Sequence, residues 1–163
     1  MTGKCVTAFK LMLTLLCLLM LDIPTTALAA DSSDSALAFV RQNHLGDGLP
    51  WLGYQVASRT TTFSAIVQKV GKVQAQTIVQ DELQRLQPTY QEQWTRNMAQ
   101  AYSESFSAAE MRQLVIGNPP KPLADKFKSA QNDVSMSMKA KSEDLLKTYV
   151  SKALLNAMTK ISR

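Results

Sequence analysis

An all-α fold, a single compact helical bundle of about six or seven helices, is what this 163-residue sequence predicts, and three observations carry the prediction. Apolar residues recur three and four positions apart along most of the chain from Phe63 onward, the period of one helix face. Helix-starting prolines and caps (Pro50, Pro88, Ser107, Pro122) alternate with helix-ending glycines at Gly46, Gly48 and Gly117. Strand signals are missing: no two-residue alternation runs over six positions, and the Asp47-Gly48 pair has no strand pattern on either side to make it a hairpin.

The chain opens with Lys4 and Lys10, an uncharged apolar run from Leu11 to Leu21, then Asp22, Pro24 and the small residues of Ala27-Leu28-Ala29. This is the layout of a cleaved signal peptide over residues 1–29, because the apolar run is about half the ~20 residues that a spanning helix requires. Leu16 rather than a small residue precedes Cys17, which argues against lipidation. Cleavage after Ala29 leaves residues 30–163 as one α-helical domain, periplasmic or secreted. Cys5 and Cys17 both fall in the removed segment, so the domain has no disulfide and must rely on its apolar core.

In the exported part, Asp31 to Ser35 reads as a mobile polar leader, with Asp34 capping a short helix that carries Ala36, Leu37 and Val40 to His44. Gly46-Asp47-Gly48 stops it. Pro50 opens a second short helix with Trp51, Leu52, Tyr54 and Val56, which the Thr60-Thr61-Thr62 run ends or caps. One long helix is predicted next, from Phe63, Ile66, Val70 and Val73 through Ile78, Val79, Leu83 and Leu86, with Gly71 weakening its middle. Pro88 marks a new start, and Tyr90, Trp94, Met98 and Ala101 form the stripe of the helix that follows.

That helix meets a sharply specified corner. Ser107 and Glu110 make a capping box, in which each side chain satisfies a backbone N–H at the helix start. Phe106 and Met111 stand where a hydrophobic staple sets the entry angle, and Leu114 and Val115 continue the face until Gly117, Asn118 and Pro119-Pro120. The spacing Tyr102, Phe106, Ser107, Glu110, Leu114, written Y-x-x-x-F-[S/T]-x-x-E-x-x-x-L, resembles the hallmark of an exported bacterial α-helical family catalogued as domain of unknown function 2059. The family's aromatic pair and Ser-Pro-x-Gly that usually follow are replaced here by Gly117-Asn118 and Pro119-Pro120-Lys121-Pro122. The resemblance implies an all-α envelope protein and implies no activity and no cofactor.

Beyond the corner, Pro122 opens a helix through Leu123, Phe127, Ala130, Val134 and Met138. Ser142 is read as the cap of a last helix along Leu146, Val150, Ala153, Ala157 and Ile161, widened by Leu145, Tyr149, Leu154 and Met158.

No catalytic machinery stands out. His44 is the single histidine, next to a helix end whose partial negative charge suits it, and no nucleophile or proton donor is nominated beside it. His44 with Asp47 offers too few ligands for a metal. The acidic pairs Asp81-Glu82, Glu104 with Glu110, and Glu143-Asp144 have the residue types of a hydrolase, yet Glu110 belongs to the capping box and Glu143-Asp144 to a predicted first turn. Gln76, Gln80 and Gln84 read as a solvated ladder, and the Tyr90, Trp94, Met98 stripe as core before ligand pocket.

Charge is lopsided, with 9 basic against 4 acidic residues from Pro119 onward and 7 against 8 between Ala30 and Asn118. Lys126, Lys128, Lys139, Lys141, Lys147 and Lys152 are therefore the candidate partner surface, either solvated or facing an anionic partner. The expectation is a non-enzymatic domain, without cofactor, acting through an unidentified protein or envelope component. A basic membrane-surface binder of anionic lipid or lipopolysaccharide comes second and an envelope hydrolase third; export and the lack of a binding motif argue against nucleic acid.

Overall fold

A computed structural model describes residues 25–162, so the predicted export segment up to residue 24, with both cysteines, lies outside the described residues. The described chain has six α-helices and no strand: α1 Thr25–Gln42, α2 Leu49–Ala57, α3 Thr61–Val70, α4 Lys72–Ser105, α5 Ala108–Ile116 and α6 Lys121–Lys160. At 1.5 Å per residue, α4 and α6 span roughly 50 and 60 Å, and they lie side by side as the frame of the domain. They run antiparallel. Contacts step from Tyr149–Leu83 through Asn97–Ser142 to Glu104–Ser137, so one index rises as the other falls.

Four expectations are corrected. Asp31 to Ser35 is no mobile leader and Asp34 caps nothing, because α1 already covers them. Arg112 ties this stretch to the corner through Asp31 at 3.1 Å and the Ser35 hydroxyl at 3.3 Å, and Ser32 donates to the Phe106 carbonyl at 3.2 Å. Tertiary anchoring of this kind outweighs the few tenths of a kcal/mol per residue that serine and aspartate cost a helix. The helix also ends earlier than its glycines suggest: His44 itself takes φ 53° and closes the turn, with Leu45 N–H bonded to the Val40 carbonyl.

The second correction is at Gly71, which breaks the predicted long helix instead of weakening it. Its φ of 82° is left-handed, open to glycine at no steric cost, and its N–H closes α3 on the Val67 carbonyl at 2.8 Å. Conversely, Pro88 does not start a helix but sits inside α4. Its ring removes the bond to the carbonyl of Gln84, and both residues lie on the exposed face of α4. Ser142 is likewise no cap, and Glu143-Asp144 no first turn: α6 runs through them, with Ser142 buried against Asn97.

The corner is as read. The Ser107 hydroxyl accepts from Glu110 N–H at 3.3 Å while the Glu110 carboxylate accepts from Ser107 N–H at 2.8 Å. Phe106 and Met111 are both buried in the one core cluster, and Tyr102, Phe106 and Phe127 form an aromatic cluster at centroid distances of 5.9 to 6.3 Å, with Phe39 of α1 edge-on to Tyr102 at 5.2 Å and to Phe127 at 6.1 Å.

At the other end of the frame, α2 packs against α4 and α6, with Gly53 facing Tyr149 and Leu83. A β-carbon there would stand 2.8 Å from Tyr149 Cε1 and 3.0 Å from Leu83 Cδ2, both on buried side chains. Gly53→Ala is expected to destabilise the fold by about 1–2 kcal/mol, overpacking outweighing the roughly 1 kcal/mol alanine returns to a helix. Gly48→Ala, with no atom within 4 Å, is the control whose urea midpoint should hardly move.

Candidate functional site

A groove of about 1100 Å³ runs along α6, walled on the other side by α4 and by the α2–α3 corner. Its floor follows from helix geometry. Met138, Ser142, Leu146, Val150, Leu154 and Met158 stand four apart on α6 and form one ridge, and Trp94, Met98 and Tyr102 form a matching ridge on α4. Leu52 and Val56 of α2 close one end. A second α6 ridge, Ser135, Lys139, Glu143, Lys147, Ser151 and Leu155, makes the outer rim, so the groove is apolar within and charged along its edge.

Register between the walls is held by polar bonds where packing alone would allow sliding. Asn97, buried, donates to the Lys141 carbonyl at 2.8 Å and to the Ser142 hydroxyl at 3.0 Å. Glu104 of α4 pairs with Lys141 at 2.7 Å and accepts from the Ser137 hydroxyl, and the Lys141 bond first, then Ser137, lowers its carboxyl below the ordinary value. One polar atom in the wall is left over: the indole Nε1 of Trp94, buried, has no hydrogen-bond partner. Such an N–H normally finds an acceptor.

The six candidate lysines divide. Lys126 belongs to the corner, 2.8 Å from both Glu110 oxygens and 5.1 Å above the Phe106 ring, and this bond is the first cause that lowers the Glu110 carboxyl, ahead of Ser107. Lys141 is half-buried on Glu104. Lys139 and Lys147 lie on the groove rim, Lys152 borders an adjoining shallow depression with Lys147, and Lys128 is exposed; none of these four has an ion pair among the described residues. They do not share a face. At about 100° per residue, Lys128 and Lys139 project within about 20° of each other, Lys147 about 80° further on and Lys152 about another 140°.

The other candidates stay apart. His44 Nδ1 lies 3.1 Å from Asp47 Oδ2 on an exposed turn away from the groove, while Glu82 is buried and paired with Arg85. Gln80 and Gln76 are half-buried and Gln84 exposed. Among the described residues no three His, Cys, Asp or Glu side chains could hold a metal, and no helix is long and apolar enough to cross a membrane.

Of the hallmark residues, Tyr102 lines the end of the groove; Phe106, Ser107, Glu110 and half-buried Leu114 build the corner beside it. Sequence reasoning missed the groove, although a signal for it existed. Leu154 and Met158 widen the apolar stripe of α6 and line the groove, and Leu155 beside them is 66% exposed. Compared with protein-family models, with curated proteins and with solved structures, the chain matches none of them.

Proposed function

We propose that this is an exported, non-enzymatic binding domain that takes a largely apolar partner into the groove between α4 and α6. The observation that carries the reading is the groove itself, about 1100 Å³ with largely apolar walls. Methionines on both walls, Met98, Met138 and Met158, suit the surface to an occupant it must adjust to. The carboxylates point away from acid catalysis: Glu104 and Glu110 are lysine-bound and lowered, whereas a general acid needs a raised value. Adhesion to an anionic membrane is supported less, since the unpaired lysines of α6 scatter around the helix. The likeness of the Tyr102–Leu114 corner to an exported envelope family agrees with the placement outside the cytoplasm.

Anilinonaphthalene sulfonate, an anionic apolar fluorophore, tests the site. It is expected to bind the natively folded protein at one site, and Leu155→Glu, a change at an exposed rim position, should weaken that binding about tenfold by setting a charge where the probe is desolvated. Binding unaffected by Leu155→Glu, or no binding below the unfolding transition, would refute the groove as the site.

A further inference from the structure

The groove's occupant can be narrowed by its shape and its rim. We infer that the groove seats an amphipathic helix of a partner protein, carrying carboxylates along the border of its apolar face; this rests on the reading of the groove as the binding site.

Shape comes first. Both walls are ridges of residues four apart, Trp94, Met98, Tyr102 on α4 and Met138 through Met158 on α6, and two such ridges leave between them the trough into which a third helix's ridge packs. A helix about 10 Å across and sunk to half its depth would fill about 1100 Å³ over roughly 28 Å, or about 19 residues, which fits within the roughly 40 Å that the lining residues Gln131 to Met158 span. The trough is open along its outer side, where the rim ridge from Ser135 to Leu155 is exposed throughout and Leu155 is 66% exposed. An acyl chain in an open trough would keep much of its surface in water, whereas an amphipathic helix needs only one side covered.

Charge sets the flank. Lys139 and Lys147 stand eight residues apart on the rim ridge, roughly 12 Å, with Glu143 between them, and neither lysine has an ion pair among the described residues. Two carboxylates about two helical turns apart on the partner would meet them, and a lysine-flanked helix would meet like charge at both. The helix-in-groove mode explains both the shape and the rim charge with one ligand.

The test uses the full chain carrying Trp51→Phe, which removes a tryptophan that is 68% exposed and outside the groove, so that Trp94 reports alone. The probes are two synthetic 19-residue helices with the same leucine face, one bordered by glutamates and the other by lysines, and oleate. Expected are a shift in Trp94 emission with the glutamate helix, binding about tenfold weaker for the lysine helix, and reversal of that preference by Lys139→Glu with Lys147→Glu, two exposed positions. Anilinonaphthalene sulfonate binding that persists while both helices fail would overturn the helix and leave the groove standing. So would oleate binding tighter than either helix, or self-association of the protein abolished by Leu155→Glu, which would make a second copy the occupant. Loss of the fluorophore result itself refutes the groove and the helix together.

Discussion

Tyr149→Ala is expected to lower the stability of the fold by about 3–5 kcal/mol, read as a shift of the urea midpoint. Tyr149 is fully buried at the point where three helices cross: its ring lies 5.2 Å from Tyr90, beneath Gly53 of α2, and its hydroxyl donates to the Leu83 carbonyl at 2.6 Å. Truncation removes the ring and leaves a cavity between the long helices α4 and α6. Tyr149→Phe should cost only about 1–2 kcal/mol, the net worth of the hydrogen bond with its apolar volume retained. The two variants also separate in alkali. Burial pushes the Tyr149 hydroxyl from 10.0 up to about 12 in the folded state. Because the folded value is the higher one, this contribution is complete below the unfolded value and is lost as pH rises through the folded one. Comparing the stability of the native protein with that of Tyr149→Phe at about pH 8 and about pH 11 reads it, and parallel losses in both would mean that Tyr149 does not contribute to alkaline unfolding.

Met111→Ala should be the largest single loss at the corner, about 2–5 kcal/mol, since Met111 is fully buried. Ser107→Ala should cost about 1 kcal/mol, because it removes one side of a capping box at a helix end. Leu114, which the spacing places on the same face, is only half-buried, and Leu114→Ala should therefore fall below Met111→Ala. The order Met111, Leu114, Ser107 in the size of the urea-midpoint shift is the expected result. A Met111→Ala loss no larger than that of Ser107→Ala would show that the staple does not join the corner to the core.

The corner was legible because its determinants are local: a capping box, a staple and a glycine-proline stop act within a few residues of one another, and nothing distant overrides them. Elsewhere, local signals were outweighed. Pro88 and Ser142 are a helix breaker and a helix cap by chemistry, yet both lie within long helices, one on the exposed face and the other on the buried Asn97 bond. Gly71, read as a weak point, is a break because the chain there uses the left-handed conformation that glycine adopts without strain.

By itself the sequence determined the all-α class, the course of the second helix and of the corner, and the concentration of positive charge from Pro119 onward, since period, capping and composition are properties of neighbouring residues. Only the tertiary structure decided which lysines remain unpaired, for Lys126 and Lys141 are claimed by Glu110 and Glu104, which lie 16 or more residues away along the chain. The groove, too, belongs to that level. A stripe four residues apart reads the same whether a neighbour covers it or not, and the difference between core and open trough is made by where α2 ends, how far α6 runs and the register that Asn97 holds between α4 and α6.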